Sequence, residues 1–120
     1  MSEDAAARAL RDADELILET RGRRTGAPHR VTVWYAYDDG DIWLRTDRAT
    51  DWLRNLERDP ACRVIVGEVA FDARREAVAD EEAALRHLVD LWRDKYGAEW
   101  VADWYVERGR LPVRLRLTRR

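Results

Sequence analysis

Residues 30–46 read RVTVWYAYDDGDIWLRT, and this stretch decides the fold class. After Arg30, the next seven residues are β-branched, aromatic or small, and their alternation places both valines and both tyrosines on one face of a strand. Asp39-Gly40 is a typical hairpin turn, because both residues tolerate a positive φ. Residues 41–46 then return as a second strand. The stretch therefore predicts an antiparallel hairpin with one apolar face.

The chain on either side of this hairpin predicts further short strands and several helices. The sequence favours strands at 15–20, 62–67, 69–78 and 111–118. It favours helices at 2–13, 48–59, 80–96 and 98–107. Strands without a βαβ rhythm are typical of an antiparallel sheet or barrel packed by helices. We therefore predict one α+β domain over residues 1–120, with residues 1–13 as an N-terminal helix.

Composition excludes several classes of partner and compartment. The formal net charge is −2, so general attraction to nucleic acid is not expected. No apolar run approaches the ~20 residues of a membrane span. Residues 1–10 are acidic and lack the apolar core of a signal peptide. The single cysteine, Cys62, suits a reducing cytoplasm, and we expect a cytoplasmic protein without nucleic-acid or membrane partners.

The residue inventory also limits the chemistry. Ser2 is the only serine, which excludes a serine triad. His29 and His87 each lack a second ligand one helical turn away, so we predict no metal site. Cys62 shares a strand face with valines, which favours a buried small hydrophobe over a nucleophile. His87 lies off the apolar stripe of its helix and is predicted at the surface.

The densest polar feature is RGRRTGAPHR at residues 21–30, with four arginines, two glycines, a threonine and a histidine. Glycines let backbone amides approach a ligand, and guanidinium groups bind phosphate or carboxylate oxygens in bidentate fashion. Such a loop suits the anionic tail of a cofactor. A solvated turn in an arginine-rich chain explains the same residues equally well. The glycine spacing excludes a Walker-type loop.

Six tryptophans form the second unusual feature. Trp52 and Trp92 lie on helical stripes and are predicted to be core. The cluster before the last strand either joins the core or forms an aromatic wall over a flat ring system; it consists of Trp100, Trp104 and Tyr105. The two tryptophans of the hairpin, Trp34 and Trp43, serve either packing or a dimer face.

Taken in order, these motifs resemble the flavin/deazaflavin oxidoreductase superfamily, split β-barrel proteins related to the pyridoxamine phosphate oxidases. The similar branch is that of the deazaflavin-dependent nitroreductases. Its first motif is matched by GRRTGAP at residues 22–28, and its W-Y-x-N-L motif by WLRNL at residues 52–56, apart from the tyrosine. CRVIVG at 62–67, KYGAEW at 95–100 and LPVRLRL at 111–117 resemble later parts of the family.

The resemblance implies an α+β fold with a six-stranded antiparallel split β-barrel, three to four packed helices and a homodimer. It also implies a groove that binds reduced deazaflavin (F420), with FMN as the alternative cofactor. The implied cofactor-binding residues are Arg23, Arg24, Thr25, Gly26, His29, Arg30, Thr46, Arg48, Trp52 and Asn55. The segment 46–51 departs from deazaflavin-binding relatives, because it is shorter and lacks their glycines, lysine and proline. Arg48 replaces the lysine charge.

The activity that the resemblance implies is hydride transfer from the reduced ring to a small planar acceptor, such as a quinone, an enone or a nitroaromatic. Trp100, Trp104 and Tyr105 correspond to aromatic positions that line substrate pockets in relatives. Tyr105 is the candidate proton donor, although water serves equally well. Three other interpretations stay open: an FMN-dependent enzyme of the pyridoxamine phosphate oxidase type, a protein that binds a flavin-like or other planar anion without turnover, and a protein whose barrel only dimerises.

Overall fold

The computed structural model describes residues 3–47, 49–97 and 110–119, which form three helices and one antiparallel sheet of seven strands. In chain order these elements are α1 (Glu3–Asp12), β1 (Glu15–Arg21), β2 (Pro28–Trp34), β3 (Ala36–Asp38), β4 (Asp41–Asp47), α2 (Asp51–Arg58), β5 (Ala61–Val66), β6 (Val69–Glu76), α3 (Glu81–Tyr96) and β7 (Arg110–Arg119). The predicted helix at 98–107 lies outside the described residues.

The strand order is β2-β1-β5-β6-β7-β4-β3, and the sheet is not closed by hydrogen bonds. The α+β class and the antiparallel pairing are confirmed, whereas the predicted count of six strands in the split barrel is wrong, because the sheet has seven. The reason is a break at Tyr35, which divides the predicted strand 30–37 into β2 and β3. These two strands pair at opposite edges of the sheet, β2 with β1 and β3 with β4.

This break determines the shape of the sheet. Trp34 ends β2 and Ala36 begins β3, so two strands at opposite edges are separated by only one residue. Two residues of chain span at most ~7 Å. The sheet must therefore curl until its two edges meet at Tyr35, which gives an almost closed barrel from an open hydrogen-bond ladder.

Alternating strand residues and one helix fill the inside of the curled sheet. In β1 the buried positions are Leu16, Leu18 and Thr20, two residues apart. The short helix α2 adds Leu53 and Leu56 to the same core. The helix α3 packs on β3, β4 and β7 and forms a second, smaller cluster. That cluster consists of Ala36, Leu85, Leu88, Val89 and Trp92.

Local residues account for the ends of the helices and for the hairpin turn. Asp80 caps α3 by accepting a hydrogen bond from the Ala83 amide at 3.1 Å. Gly97 ends the same helix at a φ of 98°, which favours glycine. Asp39 and Gly40 have φ values of 49° and 85° and form the β3–β4 hairpin turn. Thr50 occupies the N-cap position of α2.

The crossover residue Tyr35 is held from three sides. Its amide donates to Tyr96 Oη at 3.1 Å, and its carbonyl oxygen lies 2.9 Å from the same hydroxyl. Lys95 Nζ donates to that carbonyl at 3.0 Å. The Tyr35 hydroxyl donates to the Leu10 carbonyl of α1, and Tyr96 Oη lies 2.5 Å from the Asp14 carbonyl oxygen. The end of α3 thus joins α1 to the point where the chain changes edges.

Most of the described tryptophans pack against other aromatic rings. Trp92 is buried as predicted. Its ring meets that of Trp34 edge-on, with 5.9 Å between the ring centroids. Trp34 is 38% exposed and stacks on Tyr96 at 4.3 Å. Trp43 meets the ring of His87 edge-on at 5.5 Å. His87 itself lies at the surface, as predicted, 3.1 Å from a carboxylate oxygen of Asp38.

Candidate functional site

A cleft of about 750 Å³ opens between the end of β1, the loop that follows it, the start of β2 and the beginning of α2. Its volume falls within the range of small-molecule and cofactor sites, ~300–1,000 Å³. The residues that line it are Thr20, Gly22, Arg23, Arg24, Thr25, His29, Arg30, Val31, Thr50, Asp51, Trp52 and Asn55. Seven of the residues implied by the resemblance are therefore brought together in one place.

Two backbone hydrogen bonds shape the loop between β1 and β2. The Gly22 amide donates to the Ala27 carbonyl and the Gly26 amide donates to the Gly22 carbonyl, each at 2.8 Å. Thr25 Oγ1 accepts from the Ala27 amide at 3.2 Å. Gly26 has a φ of 77°, a conformation that L side chains rarely adopt. The loop is thus a folded turn with a defined shape.

Gly22 differs from Gly26, because what it permits is the close approach of His29. A Cβ at position 22 would lie 2.6 Å from His29 Nε2 and 2.8 Å from its Cδ2. These separations are shorter than van der Waals contact, so His29 packs directly on the backbone of the loop. The glycine lets the imidazole of β2 lie across the first residue of the loop at one wall of the cleft.

Arg23 joins the loop to α2. Its amide and its Nη1 both donate to Asn55 Oδ1, at 3.2 and 3.0 Å. Its Nη2 lies 3.3 Å from a carboxylate oxygen of Asp51, which is exposed. Asn55 is buried and donates through Nδ2 to Thr20 Oγ1 at 3.1 Å. Arg23 therefore fixes the relative positions of β1, the loop and α2.

The other basic residues of the cleft are more open to solvent. Arg24 and His29 are exposed, and Arg30 Nε donates to Glu19 Oε1 at 2.9 Å. The lining carries three arginines and one aspartate, and Glu19 pairs with Arg30, which leaves an excess of one positive charge in a chain of net charge −2. An anion is consequently favoured in this cleft over the surrounding surface.

The first turn of α2 adds further donors. Thr50 occupies the N-cap, but its side chain makes no capping hydrogen bond. Its hydroxyl instead lies 2.5 Å from that of Thr46, which is buried behind the cleft. The first amides of a helix have no intrahelical acceptor, and the helix dipole makes this end positive. Since Thr50, Asp51 and Trp52 all line the cleft, this end of the helix contributes to its positive potential.

Some site residues expected from the sequence are placed elsewhere or not described. Thr46 supports Thr50 rather than lining the cleft. Gly26 lines a second cleft, of about 630 Å³, on the other side of the loop. Arg48, Trp100, Trp104 and Tyr105 lie outside the described residues.

The structure also adds cleft residues that the sequence analysis did not select. These are Thr20, Gly22, Val31, Thr50 and Asp51. A signal existed for two of them, because Thr20 is the last inward position of an alternating strand and Thr50 is a helix cap. Asp51 carried no such signal, since its contact with Arg23 depends on the tertiary fold.

Cys62 lies in the second cleft and is half-buried among core residues, close to what the sequence predicted. Burial, with smaller contributions from Asp59 and Asp72, raises the pKa of its thiol to about 12. A thiol with such a pKa stays protonated at neutral pH and is a poor nucleophile. The described residues hold no group of three or more His, Cys, Asp and Glu side chains suited to a metal ion. None of the described helices has the length and apolar character that a membrane crossing requires.

Comparison with known proteins gives a family and a fold. The family model of the F420H(2)-dependent quinone reductases matches residues 1–117. A conserved hypothetical protein from Mycobacterium tuberculosis is similar in structure, with 29% identity, a TM-score of 0.79, and coverage of 99% of this chain and 82% of that one. No curated protein matches the sequence.

Two further solved structures share the fold at low identity. One is described as an F420 reductase, with 20% identity, a TM-score of 0.63, and coverage of 92% of this chain and 91% of that one. The other is a putative pyridoxamine 5'-phosphate oxidase from Listeria innocua, with 13% identity, a TM-score of 0.74, and coverage of 98% and 94%. At these identities the likeness concerns the fold alone.

Proposed function

Since the chain belongs to the F420H(2)-dependent quinone reductase family, we propose that it reduces a small planar acceptor with reduced F420. The acceptor class is a quinone, with enones and nitroaromatics as related electron-poor rings. The observation that carries the proposal is the basic cleft itself. It gathers Arg24, His29 and the first turn of α2 around a volume large enough for a cofactor, in a protein that is acidic overall.

The residues of the cleft fit an anionic, planar cofactor. Exposed Arg24 and the amides at the start of α2 suit a phosphate or carboxylate group. Val31 and the half-buried Trp52 offer apolar surface to a ring. Arg23 has a different role, because its guanidinium already donates hydrogen bonds to Asn55 and Asp51. Of the two arginines that the resemblance assigns to the anion, Arg24 is the one we propose to contact it.

The cofactor, when bound, supplies a hydride, and the protein supplies orientation and exclusion of water. The hydrogen bonds from Arg23 to Asn55 and from Asn55 to Thr20 keep the loop and α2 at a fixed separation. The cleft is therefore largely formed before binding. Preorganisation of this kind reduces the entropy that binding costs. His29, held on the Gly22 backbone, limits the width of the cleft at its loop side.

For the acceptor side we retain Trp100, Trp104 and Tyr105 as proposed wall residues, with Tyr105 as the proposed proton donor. Support comes from the resemblance alone, as these residues are outside the described part of the chain. The proposal assigns them a planar substrate because large aromatic rings stack favourably on flat, electron-poor ones. Replacement of Tyr105 by Phe tests whether this residue donates the proton. If the variant and the native protein have the same rate at every pH, the proton comes from water.

The deciding experiment is a titration of the purified protein with F420 and, separately, with FMN, followed by fluorescence and absorption. Turnover is then measured as the loss of reduced F420 on addition of a soluble quinone. We expect F420 to bind, FMN to bind more weakly, and the quinone to be reduced. Arg24→Ala should weaken F420 binding, whereas Arg86→Ala, an exposed arginine of α3, should not.

Each other outcome replaces the proposal with a defined alternative. Preferential binding of FMN would assign the protein to flavin chemistry of the pyridoxamine phosphate oxidase type. Tight binding of F420 without quinone reduction would indicate a carrier rather than an enzyme. Binding of neither cofactor would contradict the assignment of the cleft.

A further inference from the structure

The second cleft, of about 630 Å³, lies on the other side of the loop from the cleft assigned to the cofactor. Residues of β1, β5, β6 and β7 line it, together with the start of β2, and among the described residues Thr20 alone lines both clefts. The charged residues of its lining are Arg21, Arg63, Arg74, Glu19 and Asp72. The proposed function assigns no ligand to these side chains.

One row of charges across this part of the sheet is neutralised within the chain. Arg30, Glu19, Arg63 and Asp72 are successive cross-strand partners, so their charges alternate in sign. Arg30 Nε lies 2.9 Å from Glu19 Oε1, and Arg63 Nε lies 3.8 Å from Asp72 Oδ1. Both carboxylates of the cleft lining are therefore already engaged by arginines of their own row, and this row contributes little net charge to the cleft.

The neighbouring row has arginines without this alternation. Ala61 of β5 is the cross-strand partner of Arg74 of β6, and continuation of the β1–β5 register places Ala61 beside Arg21 on its other side. Arg74 is in turn the cross-strand partner of Arg116 of β7, which carries the same charge. Like charges directly opposite each other in a sheet are destabilising. An anion bound beside Arg74 would relieve this repulsion.

The carboxylates near this second row leave two guanidinium groups with capacity for a ligand. Arg116 Nε lies 3.4 Å from Asp41 Oδ1, so its charge is already balanced in part. Arg21 Nε lies 4.0 Å from Asp59 Oδ2, at the limit of an ion pair, and the Arg21 side chain is 71% exposed. Arg74 is exposed and forms no ion pair with the residues that the structure describes. Arg21 and Arg74 are thus the least neutralised cations of the cleft.

We propose that the second cleft is a phosphate site, in which Arg21 and Arg74 bind one phosphate group above Ala61. The Cα atoms of the two arginines are two strands apart, roughly 10 Å from strand spacing, and their flexible stems bring both guanidinium groups to a point between them. The small, exposed side chain of Ala61 leaves that point open. Guanidinium groups match phosphate oxygens in bidentate geometry. The phosphate is either free or part of a small phosphorylated ligand, because the cleft has the volume of a small-molecule site.

The test is a titration of the Arg24→Ala protein with inorganic phosphate at constant ionic strength, followed by NMR of the arginine Nε–H groups. This background removes the anion contact proposed for the cofactor cleft, so that binding in the second cleft is measured alone. Arg21→Gln and Arg74→Gln should each weaken phosphate binding at least about tenfold, since each removes a charged donor. Arg11→Gln changes an exposed arginine of α1 and should leave phosphate binding unchanged.

Urea unfolding separates binding of phosphate from a structural role of the arginines. Without phosphate, Arg74→Gln should be at least as stable as the background protein, because the substitution removes a pair of like charges. With phosphate, the background protein should gain stability and the Arg74→Gln variant should not, since a ligand that binds only the folded state stabilises it. A titration with glycerol phosphate identifies the source of the phosphate: tighter binding than that of inorganic phosphate indicates a phosphorylated ligand, and weaker binding indicates free phosphate.

Three results would overturn the proposal. The first is the absence of phosphate binding at millimolar concentrations. The second is the same phosphate affinity in Arg21→Gln, Arg74→Gln and the background protein. The third is displacement of phosphate from the Arg21 and Arg74 signals of the native protein by F420, which would make the second cleft an extension of the cofactor cleft. The proposal itself does not depend on F420 binding, because the first two results are obtained without that cofactor.

Discussion

The Nζ of Lys95 lies 3.5 Å above the centroid of the Tyr35 ring while it donates a hydrogen bond to the carbonyl of the same residue. Lys95 is the only lysine of the chain, and it is half-buried at the end of α3. Burial lowers its pKa from 10.5 to about 8, against a smaller opposite contribution from Asp14. The contact therefore connects the crossover of the sheet to a group that titrates near physiological pH.

This relationship predicts that the free energy of unfolding rises between pH 8 and pH 10. In that range the unfolded chain keeps the proton on Lys95 whereas the folded chain has lost it, and stability rises with pH wherever the unfolded state binds more protons. Because Lys95 is half-exposed, solvent screening keeps the slope below the ~1.4 kcal/mol per pH unit of one full proton. Urea unfolding at a series of pH values measures this slope of the free energy of unfolding.

Cys62 must be removed for this measurement, because its thiol acts in the opposite direction. Its pKa is raised from 9.0 to about 12, so the folded state holds the proton longer and stability falls as pH rises above 9. In a Cys62→Ala background we expect the rise to be visible, and Lys95→Met should abolish it. A rise of equal size in the Lys95→Met protein would show that another group is responsible.

Tyr96 should contribute measurably to stability through its hydroxyl. It accepts from the Tyr35 amide and lies within hydrogen-bond distance of the carbonyl oxygens of Tyr35 and Asp14. Tyr96→Phe leaves a partly buried backbone amide without this acceptor, which costs about 1–3 kcal/mol. Denaturant unfolding should show that loss, whereas Tyr37→Phe, which removes a hydroxyl from another half-buried tyrosine, should cost less. An equal loss of stability in the two variants would mean that the Tyr96 hydroxyl does not stabilise the crossover at Tyr35.

The Tyr96 hydroxyl should also lower the free energy of unfolding at alkaline pH. Burial raises the pKa of Tyr96 from 10.0 to about 12, with the hydrogen bond to Tyr35 acting the other way. The folded state therefore keeps this proton where the unfolded state loses it, and stability should fall between pH 10 and pH 12. Tyr96→Phe should flatten that part of the profile. Both proteins should carry Cys62→Ala, since the Cys62 thiol would otherwise add its own fall in stability above pH 9. An unchanged slope in the Tyr96→Phe variant would then assign the fall to Tyr35, whose pKa is also raised by burial.

Arg23 and Arg24 are neighbours in sequence and should behave differently when replaced. Arg23→Ala removes the Nη1 donor from the buried Asn55 Oδ1, while the backbone amide of residue 23 keeps its hydrogen bond, and should cost about 1–3 kcal/mol of stability. Arg24→Ala removes an exposed side chain and should change stability by less than about 0.5 kcal/mol while it weakens F420 binding. Thermal unfolding and cofactor titration together separate these effects. Loss of stability in the Arg24 variant, or none in the Arg23 variant, would reverse the assignment.

The different roles of these two arginines show what the sequence predicts and where it fails. The loop, its basic character and the position of Asn55 follow from local spacing and motif, and the structure brings them into one cleft. The distinction between an arginine that faces solvent and one that braces α2 depends on contacts 28 and 32 residues apart. The break at Tyr35 escaped prediction for a similar reason. Nothing in a β-branched, aromatic run reveals that its two halves join opposite edges of a sheet.

Gly22 and His29 should be energetically coupled. A Cβ at position 22 would lie 2.6 Å from the imidazole of His29, which is exposed and can turn away, and 3.2 Å from the Ala27 carbonyl oxygen, so Gly22→Ala is expected to cost about 1 kcal/mol. Because the closest clash is with the imidazole, His29→Ala in the same protein should recover part of the loss. Gly26→Ala is the matched control, since its cost arises from a φ of 77° with no atom within 4 Å of the new Cβ. A double-mutant cycle by denaturant unfolding should give a coupling energy of at least about 0.5 kcal/mol for Gly22 with His29 and none for Gly26 with His29. Additive losses in both cycles would mean that His29 does not rest on the loop.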